Sequence, residues 1–302
     1  MANQTVLIAG GTGLIGARLA EIFQEKGYVV RILTRRPKGP GQFGWDPLSG
    51  QIDDRAVLGA DVVINLTGAG IADRRWTPAR KKLLVDSRVE STRVLRDSFQ
   101  RLGQQPRAYL SASAIGYYGN SGETWVDETS APAGNGFLVQ CCAAWEQAVE
   151  TIGAMGIRTV VLRTGIVLEP SGGALRELLK PLYFGIGAYF ADGRAWYSWL
   201  HIDDICRMYL WAAETPAAEG IFNAVAPQPA RNKELVQAVA KARRQWAIFV
   251  PAPAFALRLL FGEMADTILF SNRVAADRII REGFHFQYPD LDSALAQLLK
   301  KH

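Results

Sequence analysis

The chain has 302 residues, a formal net charge of +5, 49% hydrophobic residues and 21% charged residues. These values are ordinary for a soluble globular protein, and the length allows one large domain or two modest ones. No apolar run approaches the ~20 residues that a membrane-spanning helix needs, so we expect no membrane partner.

Cysteines and basic residues narrow the class further. Cys141, Cys142 and Cys206 form neither a disulfide framework nor a spaced metal site. The sequence opens on an apolar strand pattern, and no signal peptide is visible. We therefore expect a cytoplasmic protein without a metal. Basic residues occur only in short runs without a nucleic-acid-binding motif, so no nucleic-acid partner is expected. Part of the positive charge suits an anionic cofactor.

The first predicted element is a buried strand that ends in a glycine-rich turn. An apolar run over residues 6–9 is followed by Gly10, Gly13 and Gly16, and then by a helical apolar pattern. This layout places a pyrophosphate at a helix N-terminus, where free N–H groups and the helix dipole face the anion. Gly10 allows the tight turn, Gly13 the close approach to phosphate, and Gly16 the packing of helix on strand. The stretch predicts a dinucleotide-binding site.

The end of the second predicted strand indicates which dinucleotide binds. NAD-preferring sites usually place a carboxylate there, which accepts hydrogen bonds from the ribose 2′-hydroxyl. This chain has Thr34, Arg35 and Arg36 instead. Because guanidinium groups bind phosphate through charge-assisted hydrogen bonds, we predict NADP(H) rather than NAD.

Two further strands continue the same pattern. The strand over residues 60–66 ends in small residues that suit close passage of the cofactor, among them Thr67 and Gly68. A helix over 78–102 carries Arg88, which either turns back to the cofactor or lies in solvent. The strand over 108–113 ends with Ser111 and Ser113.

The strand–helix alternation predicts an α/β fold, a doubly wound parallel sheet of the Rossmann type with a smaller C-terminal lobe. We predict a cofactor-binding core over residues 1–167, completed by parts of 195–226. A lobe on the substrate side is predicted over 168–249, and a separate C-terminal domain over 250–302.

These features together resemble the extended short-chain dehydrogenase/reductase superfamily. Residues 10–16 resemble its glycine motif, and residues 111–119 resemble the serine strand of nucleotide-sugar epimerases. A more specific set is similar to an atypical subgroup, the epimerase family proteins, which carries a short C-terminal domain and has no settled reaction. That set is Arg75-Trp76, Ser87-Arg88, Gly116-Tyr-Tyr-Gly119, Cys142-Ala-Ala-Trp-Glu146 and Trp199-Leu-His-Ile-Asp203.

The resemblance implies both cofactor contacts and a catalytic serine. Ser113 falls where the superfamily keeps the serine whose hydroxyl polarises the substrate oxygen. The resemblance places NADP contacts at Thr12, Gly13, Leu14, Ile15, Thr34, Arg35, Leu66, Thr67, Arg88 and Val167.

The chain departs from the superfamily at the catalytic tyrosine and lysine. The superfamily places them four residues apart on one helix face, where the lysine lowers the pKa of the tyrosine. Alignment puts Leu138 and Cys142 at these positions, and no Tyr-x-x-x-Lys occurs in the chain. The candidate replacements are Tyr117, Tyr118 and the Cys142 thiol. His201 with Asp203 and Asp204 forms either a proton relay or a self-satisfied turn.

Three functions remain open from the sequence. The first is an NADP(H)-dependent oxidoreductase or nucleoside-diphosphate-sugar epimerase, whose small substrate is anionic or nucleotide-linked if Arg74 and Arg75 contact it. The second is a non-catalytic NADP-binding sensor or scaffold, which the missing tyrosine and lysine favour. The third, a nucleic-acid binder, is the least supported. We expect a monomer or a homodimer.

Overall fold

A computed structural model describes residues 4–300, in which strands and helices alternate through the first two thirds of the chain. The strands are β1 (Thr5–Ala9), β2 (Val29–Thr34), β3 (Gln42–Asp46), β4 (Gln51–Ile52), β5 (Val62–Asn65), β6 (Ala108–Ala114), β7 (Trp125–Val126), β8 (Thr159–Thr164), β9 (Ile166–Leu168), β10 (Ile186–Phe190), β11 (Trp196–Tyr197), β12 (Trp199–His201), β13 (Gly220–Ala224), β14 (Ala230–Arg231), β15 (Ile248–Ala252) and β16 (Arg273–Val274).

The helices cover both faces of the central sheet and build most of the C-terminal region. They are α1 (Leu14–Glu25), α2 (Asp54–Val57), α3 (Pro78–Leu102), α4 (Phe137–Gly153), α5 (Gly173–Leu182), α6 (Ile202–Glu214), α7 (Asn232–Ala242), α8 (Ala254–Phe261), α9 (Asp266–Leu269), α10 (Asp277–Arg281) and α11 (Leu291–Leu298), with 3-10 turns at Ile115–Tyr118 and Gly262–Ala265. Within the described residues, no helix combines the length and the apolar composition that crossing a bilayer requires.

The central sheet has eight strands in the order β13-β8-β6-β5-β1-β2-β3-β4. All neighbouring pairs are parallel except β3 with β4. The chain runs outward from β1 to β2 and β3, then returns to place β5 on the other side of β1. The strand order therefore reverses between β1 and β5, which is where an open α/β sheet binds a ligand. The predicted doubly wound fold is confirmed.

Two apolar clusters sandwich the sheet. On one face α1 and α6 pack over Val6, Ile8 and Leu110, and on the other α3 and α4 pack over Leu7 and Tyr109. Alternation along buried strands sends successive side chains to opposite layers, which explains why β1 is apolar throughout. Helices thus cover both faces of the sheet, which leaves the loops at its carboxyl edge as the expected place for a site.

Two elements outside the central sheet shape the region near its carboxyl edge. Helix α4 begins at Phe137 and carries both Leu138 and Cys142. Strand β15 contains Pro251 and pairs with β10 in parallel register. Pro is tolerated there since a two-stranded sheet consists only of edge strands.

The C-terminal region is fastened to the core by buried polar groups. The fully buried Asp204 carboxylate accepts hydrogen bonds from the Gln287 N–H at 2.8 Å and the Tyr288 N–H at 2.9 Å. The Ser198 hydroxyl donates to the Asn272 carbonyl oxygen at 2.8 Å. Strand β13 joins the sheet beside β8. The predicted boundaries at 167 and 249 stay predictions.

Candidate functional site

The turn between β1 and α1 requires glycine at two positions. Gly10 has φ +81°, a left-handed conformation that favours glycine. A Cβ on Gly16 would lie 2.3 Å from the Gly10 carbonyl oxygen, so only glycine fits. Gly13 precedes α1 and makes no side-chain capping bond. The first N–H groups of α1 are therefore available to an anion.

The end of β5 forms the other wall of this turn. A Cβ on Gly10 would lie 3.1 Å from the Leu66 carbonyl carbon, so the two loops are in close contact. The Thr67 hydroxyl is buried and has no hydrogen-bond partner within residues 4–300. Because a buried hydroxyl is rarely left unpaired, this atom fits a ligand that passes between the loops. We call Gly10, Gly13, Gly16 and Thr67 the phosphate cradle.

At the end of β2 the predicted arginines are accessible. Arg35 and Arg36 are exposed, and no carboxylate in the described part of the chain pairs with either one. Thr34 is half-buried, and its hydroxyl accepts a weak hydrogen bond from the Arg36 N–H at 3.4 Å. Two free guanidinium groups beside the cradle fit a 2′-phosphate better than a bare ribose hydroxyl.

Other predicted cofactor contacts differ in their surroundings. Leu14 is 38% exposed at the start of α1 and meets the Gly172 turn, where a Cβ would lie 3.0 Å from a Leu14 methyl carbon. Val167 is half-buried in β9. Ser111 is fully buried, and its hydroxyl proton is already donated to the Ala112 carbonyl oxygen at 3.0 Å. A cofactor contact at each of these residues stays a prediction.

A cavity of ≈ 250 Å³ lies beyond the carboxyl ends of β6 and β8. Its wall joins the core to the C-terminal region and is mostly apolar. It is lined by Ile71, Arg88, Ala114, Ile115, Gly116, Leu138, Cys141, Cys142, Trp145, Thr164, Gly165, Ile166, Trp196, Tyr197, Ser198, Asp266, Thr267, Phe270 and Asn272.

Arg88 on α3 connects the end of β5 with this cavity. Its guanidinium donates to the Leu84 carbonyl oxygen at 2.7 Å and to the Ala69 carbonyl oxygen at 3.3 Å. The guanidinium carbon lies 5.0 Å from the centre of the Trp145 ring. A Cβ on Gly68 would lie 3.0 Å from the same carbon. Arg88 therefore turns back to the sheet and does not lie in solvent, while its contact with the cofactor stays a prediction.

Leu138 and Cys142 both lie in the cavity wall, one turn apart on α4. Burial raises the pKa of the Cys142 thiol to about 12. A thiol with this pKa stays protonated at neutral pH and neither abstracts a proton nor attacks as a thiolate. The pKa of Cys141 is also raised by burial. Burial therefore disfavours Cys142 as an acid or base. Its catalytic role stays a prediction.

Ser113 does not line the cavity; it lies in a buried polar cluster beneath it. Its hydroxyl donates to Glu146 Oε1 at 2.6 Å, and Arg163 binds both oxygens of the same carboxylate at 2.9 and 2.8 Å. The three residues are 3%, 8% and 2% exposed. The residue of β6 that faces the cavity is Ala114. The predicted catalytic role of Ser113 is disfavoured by this placement.

The two candidate tyrosines belong to the same cluster. The Tyr118 hydroxyl donates to Asn223 Oδ1 at 2.6 Å and accepts from Arg163 at 3.0 Å. Burial raises the pKa of Tyr118 to about 12. Tyr117 packs its ring against the Arg163 guanidinium, with the carbon 3.5 Å from the ring centre. Neither lines the cavity. We call Ser113, Tyr118, Glu146, Arg163 and Asn223 the Glu146 network.

His201 is placed as the self-satisfied turn, not as a relay to the cavity. Its Nδ1 accepts from the Asp203 N–H at 2.9 Å, which caps α6, and its Nε2 lies 2.8 Å from Gln297 Oε1. The ring stacks on Tyr288. Burial lowers the pKa of His201, so the imidazole is neutral at pH 7. Asp203 instead pairs with Arg18 at 2.7 Å.

Sequence reasoning missed two residues of the cavity wall. Trp145 is 5% exposed, and its indole N–H has no acceptor among the described residues. Its only signal was membership of the subgroup motif ending at Glu146. Asp266 reaches the cavity from α9, far along the chain, and no local pattern marks it. Over residues 4–300, no group of three or more His, Cys, Asp and Glu is placed to hold a metal ion.

Two family models match successive parts of the chain. Residues 6–224 match the family model described as NAD dependent epimerase/dehydratase family, and residues 252–298 match a domain of unknown function, DUF1731. Epimerase family protein Mb2239 of Mycobacterium bovis is 38% identical over 299 residues, covering 98% of this chain and 97% of that protein.

Solved structures agree with these matches. The crystal structure of human epimerase family protein SDR39U1 with NADPH superposes with a TM-score of 0.88 at 30% identity, over 98% of this chain and 99% of that one. A protein described as the nucleoside-diphosphate sugar epimerase from Corynebacterium glutamicum gives 0.80 at 32% identity, over 99% of this chain and 58% of that one. The chain belongs to the NAD dependent epimerase/dehydratase family, among the atypical short-chain dehydrogenases/reductases known as epimerase family proteins.

Proposed function

We propose that the phosphate cradle binds the pyrophosphate of NADP(H), with Arg35 and Arg36 on the 2′-phosphate. The unpaired Thr67 hydroxyl, the uncapped start of α1 and the two free guanidinium groups support this assignment. The human relative crystallised with NADPH has the same fold over nearly its whole length. Arg88 would lie between the cofactor and the cavity and present a fixed positive charge to both.

The reaction that the site supports best is the reduction of a small, largely apolar carbonyl compound, or the reverse oxidation of its alcohol. The carrying observation is the cavity itself. It is small and mostly apolar, and its few polar groups include Arg88 and the unpaired Trp145 indole N–H. When bound, NADPH supplies a hydride. Arg88 and Trp145 would donate hydrogen bonds to the substrate oxygen and orient it.

A sugar nucleotide fits this cavity less well. A diphosphate is bound by several cations or N–H donors, and a sugar ring by many hydroxyl and amide partners. The cavity wall contains one arginine and one carboxylate, Arg88 and Asp266. The predicted anionic or nucleotide-linked substrate is therefore not favoured by the wall, although the Corynebacterium relative is described as a sugar-nucleotide epimerase.

The second candidate is an NADP(H) sensor without turnover. Leu138 and Cys142 favour it, since neither side chain exchanges protons near neutral pH and both lie in the cavity wall. The oligomeric state and the cytoplasmic location stay predictions.

Calorimetry with clean protein tests the cofactor site. Arg35→Ala should weaken NADPH binding about 10- to 100-fold, the loss expected for charge-assisted hydrogen bonds, and leave NADH binding unchanged. Lys82→Ala is the matched control, since Lys82 is exposed and pairs only with Asp86. Equal losses for both nucleotides, or no binding by the wild type, would contradict the assignment. NADPH oxidation with cyclohexanone and with benzaldehyde then separates the oxidoreductase from the sensor.

A further inference from the structure

We propose that Asp266, supplied by the C-terminal domain of unknown function, is the proton-transfer residue of the cavity. The inference rests on the proposed oxidoreductase function. It assigns a chemical task to a segment, residues 252–298, that is otherwise known only as a matched domain. Of the polar groups in the cavity wall, the Asp266 carboxylate is the best placed to give or take a proton.

The hydroxyl groups in the wall are already committed to carbonyl oxygens. Tyr197 donates to the Ile268 carbonyl oxygen, Ser198 to that of Asn272 at 2.8 Å, and Thr267 to that of Met264 at 2.8 Å. Thr164 donates to the Leu162 carbonyl oxygen at 3.2 Å. Burial further raises the pKa of Tyr197. A hydroxyl that is held this way must break a buried hydrogen bond before it can serve a substrate.

The remaining polar side chains do not exchange protons near neutral pH. The Cys142 thiol has a pKa raised to about 12 by burial, and burial also raises that of Cys141. The guanidinium of arginine, the indole of tryptophan and the amide of asparagine do not serve as acids or bases near neutral pH, and these are the side chains of the other polar residues in the wall. Elimination leaves the Asp266 carboxylate.

Asp266 has the setting that proton transfer requires. It is half-buried in the wall, and no group within residues 4–300 donates a hydrogen bond to its carboxylate. Burial raises its pKa; nearby Arg258 opposes that shift and Glu263 adds to it. A carboxyl group that is partly desolvated but unbonded can hold a proton and release it to a substrate oxygen.

The surrounding contacts hold this short segment in place. Asp266 begins α9, directly after the 3-10 turn Gly262–Ala265. The Tyr197 hydroxyl binds the Ile268 carbonyl oxygen from the core side. Lys81 on α3 pairs with Glu263 in the turn. The backbone on either side of Asp266 is thus tied to two different parts of the core.

In each direction of the proposed reaction, Asp266 exchanges one proton with the substrate oxygen. In reduction, the hydride adds to the carbonyl carbon, the C=O π pair moves to oxygen, and the Asp266 carboxyl gives its proton to that oxygen. The carboxylate then regains a proton from solvent. In oxidation, the carboxylate takes the alcohol proton as the hydride leaves carbon for NADP⁺. Reduction should slow as pH rises through the pKa of Asp266, and oxidation should accelerate. The charged groups that act on it are Arg258 on α8 and Glu263 in the turn, and Arg88 is the other charged residue of the cavity wall.

The first test uses the full chain loaded with NADPH and offered cyclohexanone or benzaldehyde. Asp266→Asn should lower kcat about 10²- to 10⁴-fold, remove its pH dependence and leave NADPH binding within about twofold. Asp266→Glu should recover part of the rate. Asp277→Asn is the matched control, an exposed aspartate of the same domain outside the cavity wall, and should retain the wild-type rate. An unchanged rate in Asp266→Asn overturns the inference.

The second test does not need turnover. In protein labelled with ¹³C at aspartate carboxyls and loaded with NADP⁺, the Asp266 resonance should titrate above the usual aspartate range, as should that of buried Asp204, but only the Asp266 resonance should shift when cyclohexanol is added. Asp266→Asn should remove the resonance that shifts, and Asp277→Asn should leave it. An Asp266 resonance that ignores cyclohexanol, or wild-type protein that binds NADPH but turns over neither carbonyl, overturns the inference and leaves the cofactor site intact. Protein that binds no NADPH would instead overturn the proposed function.

Discussion

Helix α4 contributes residues to two different regions, the buried Glu146 network and the mostly apolar cavity wall. The Glu146 network contains a serine, a tyrosine and an ion pair that look catalytic in sequence, but it is sealed below the cavity. The cavity wall one turn earlier contains Leu138 and Cys142, which look inert. The difference shows that the side of a strand or helix on which a motif residue lies, and not its type alone, decides whether it lines the cavity.

The network is expected to contribute stability, so removing its central carboxylate gives the largest effect. Glu146→Gln leaves the Arg163 charge buried with its ion pair broken, which costs about 3–5 kcal/mol of unfolding free energy. Urea denaturation measures the loss. Glu150→Gln, exposed one turn later on the same helix, should change little. A stable Glu146→Gln protein that loses only turnover would show that the network is catalytic after all.

The phosphate cradle allows the opposite test, in which a substitution that neither adds nor removes a polar side chain is expected to abolish NADPH binding. In Gly16→Ala the new Cβ meets the Gly10 carbonyl oxygen, so the turn must shift. Overpacking of this kind costs about 1–3 kcal/mol, and the displaced N–H groups should weaken NADPH binding beyond detection by calorimetry. Gly39→Ala, which has free space around the new Cβ, is the control. Retained NADPH binding in Gly16→Ala would place the cofactor elsewhere.

A milder change at Ser113 sharpens the comparison most directly. Ser113→Ala removes one hydrogen bond to Glu146, while Arg163 still satisfies the carboxylate. We expect a loss of about 1 kcal/mol in unfolding free energy and a turnover rate within a few-fold of the wild type. Ser111→Ala, also buried in β6, is the matched variant. A rate loss of 100-fold or more with unchanged stability would restore the catalytic serine.

The parts of the fold that the sequence predicted are those set by local geometry. The glycine turn, the buried β1 and the arginines after β2 each follow from neighbouring residues and a known strand–turn–helix layout. The surroundings of Ser113 could not be predicted from neighbouring residues. Its hydrogen-bond partner Glu146 is 33 residues away, and its side chain faces away from the cavity because of where strand β6 ends. The position of Asp266 was even harder to predict from the sequence, because this residue joins the cavity wall through packing of the C-terminal region on the core.

His201 is a third buried polar group. The pH dependence of protein stability tests whether it, too, contributes to stability and not to catalysis, and its expected effect is the smallest. Burial lowers its pKa in the folded protein, so the unfolded chain binds a proton more readily. The stability that the neutral ring contributes is therefore complete above the unfolded histidine pKa of about 6.5 and is lost as pH falls through that value toward the folded one. His201→Gln should flatten the acid side of the stability profile measured by thermal unfolding. His285→Gln, at an exposed position, should leave the profile unchanged. If instead His201→Gln preserved the profile and abolished turnover, the ring would belong to a relay, and a buried, fully bonded side chain would no longer be evidence against catalysis in this fold.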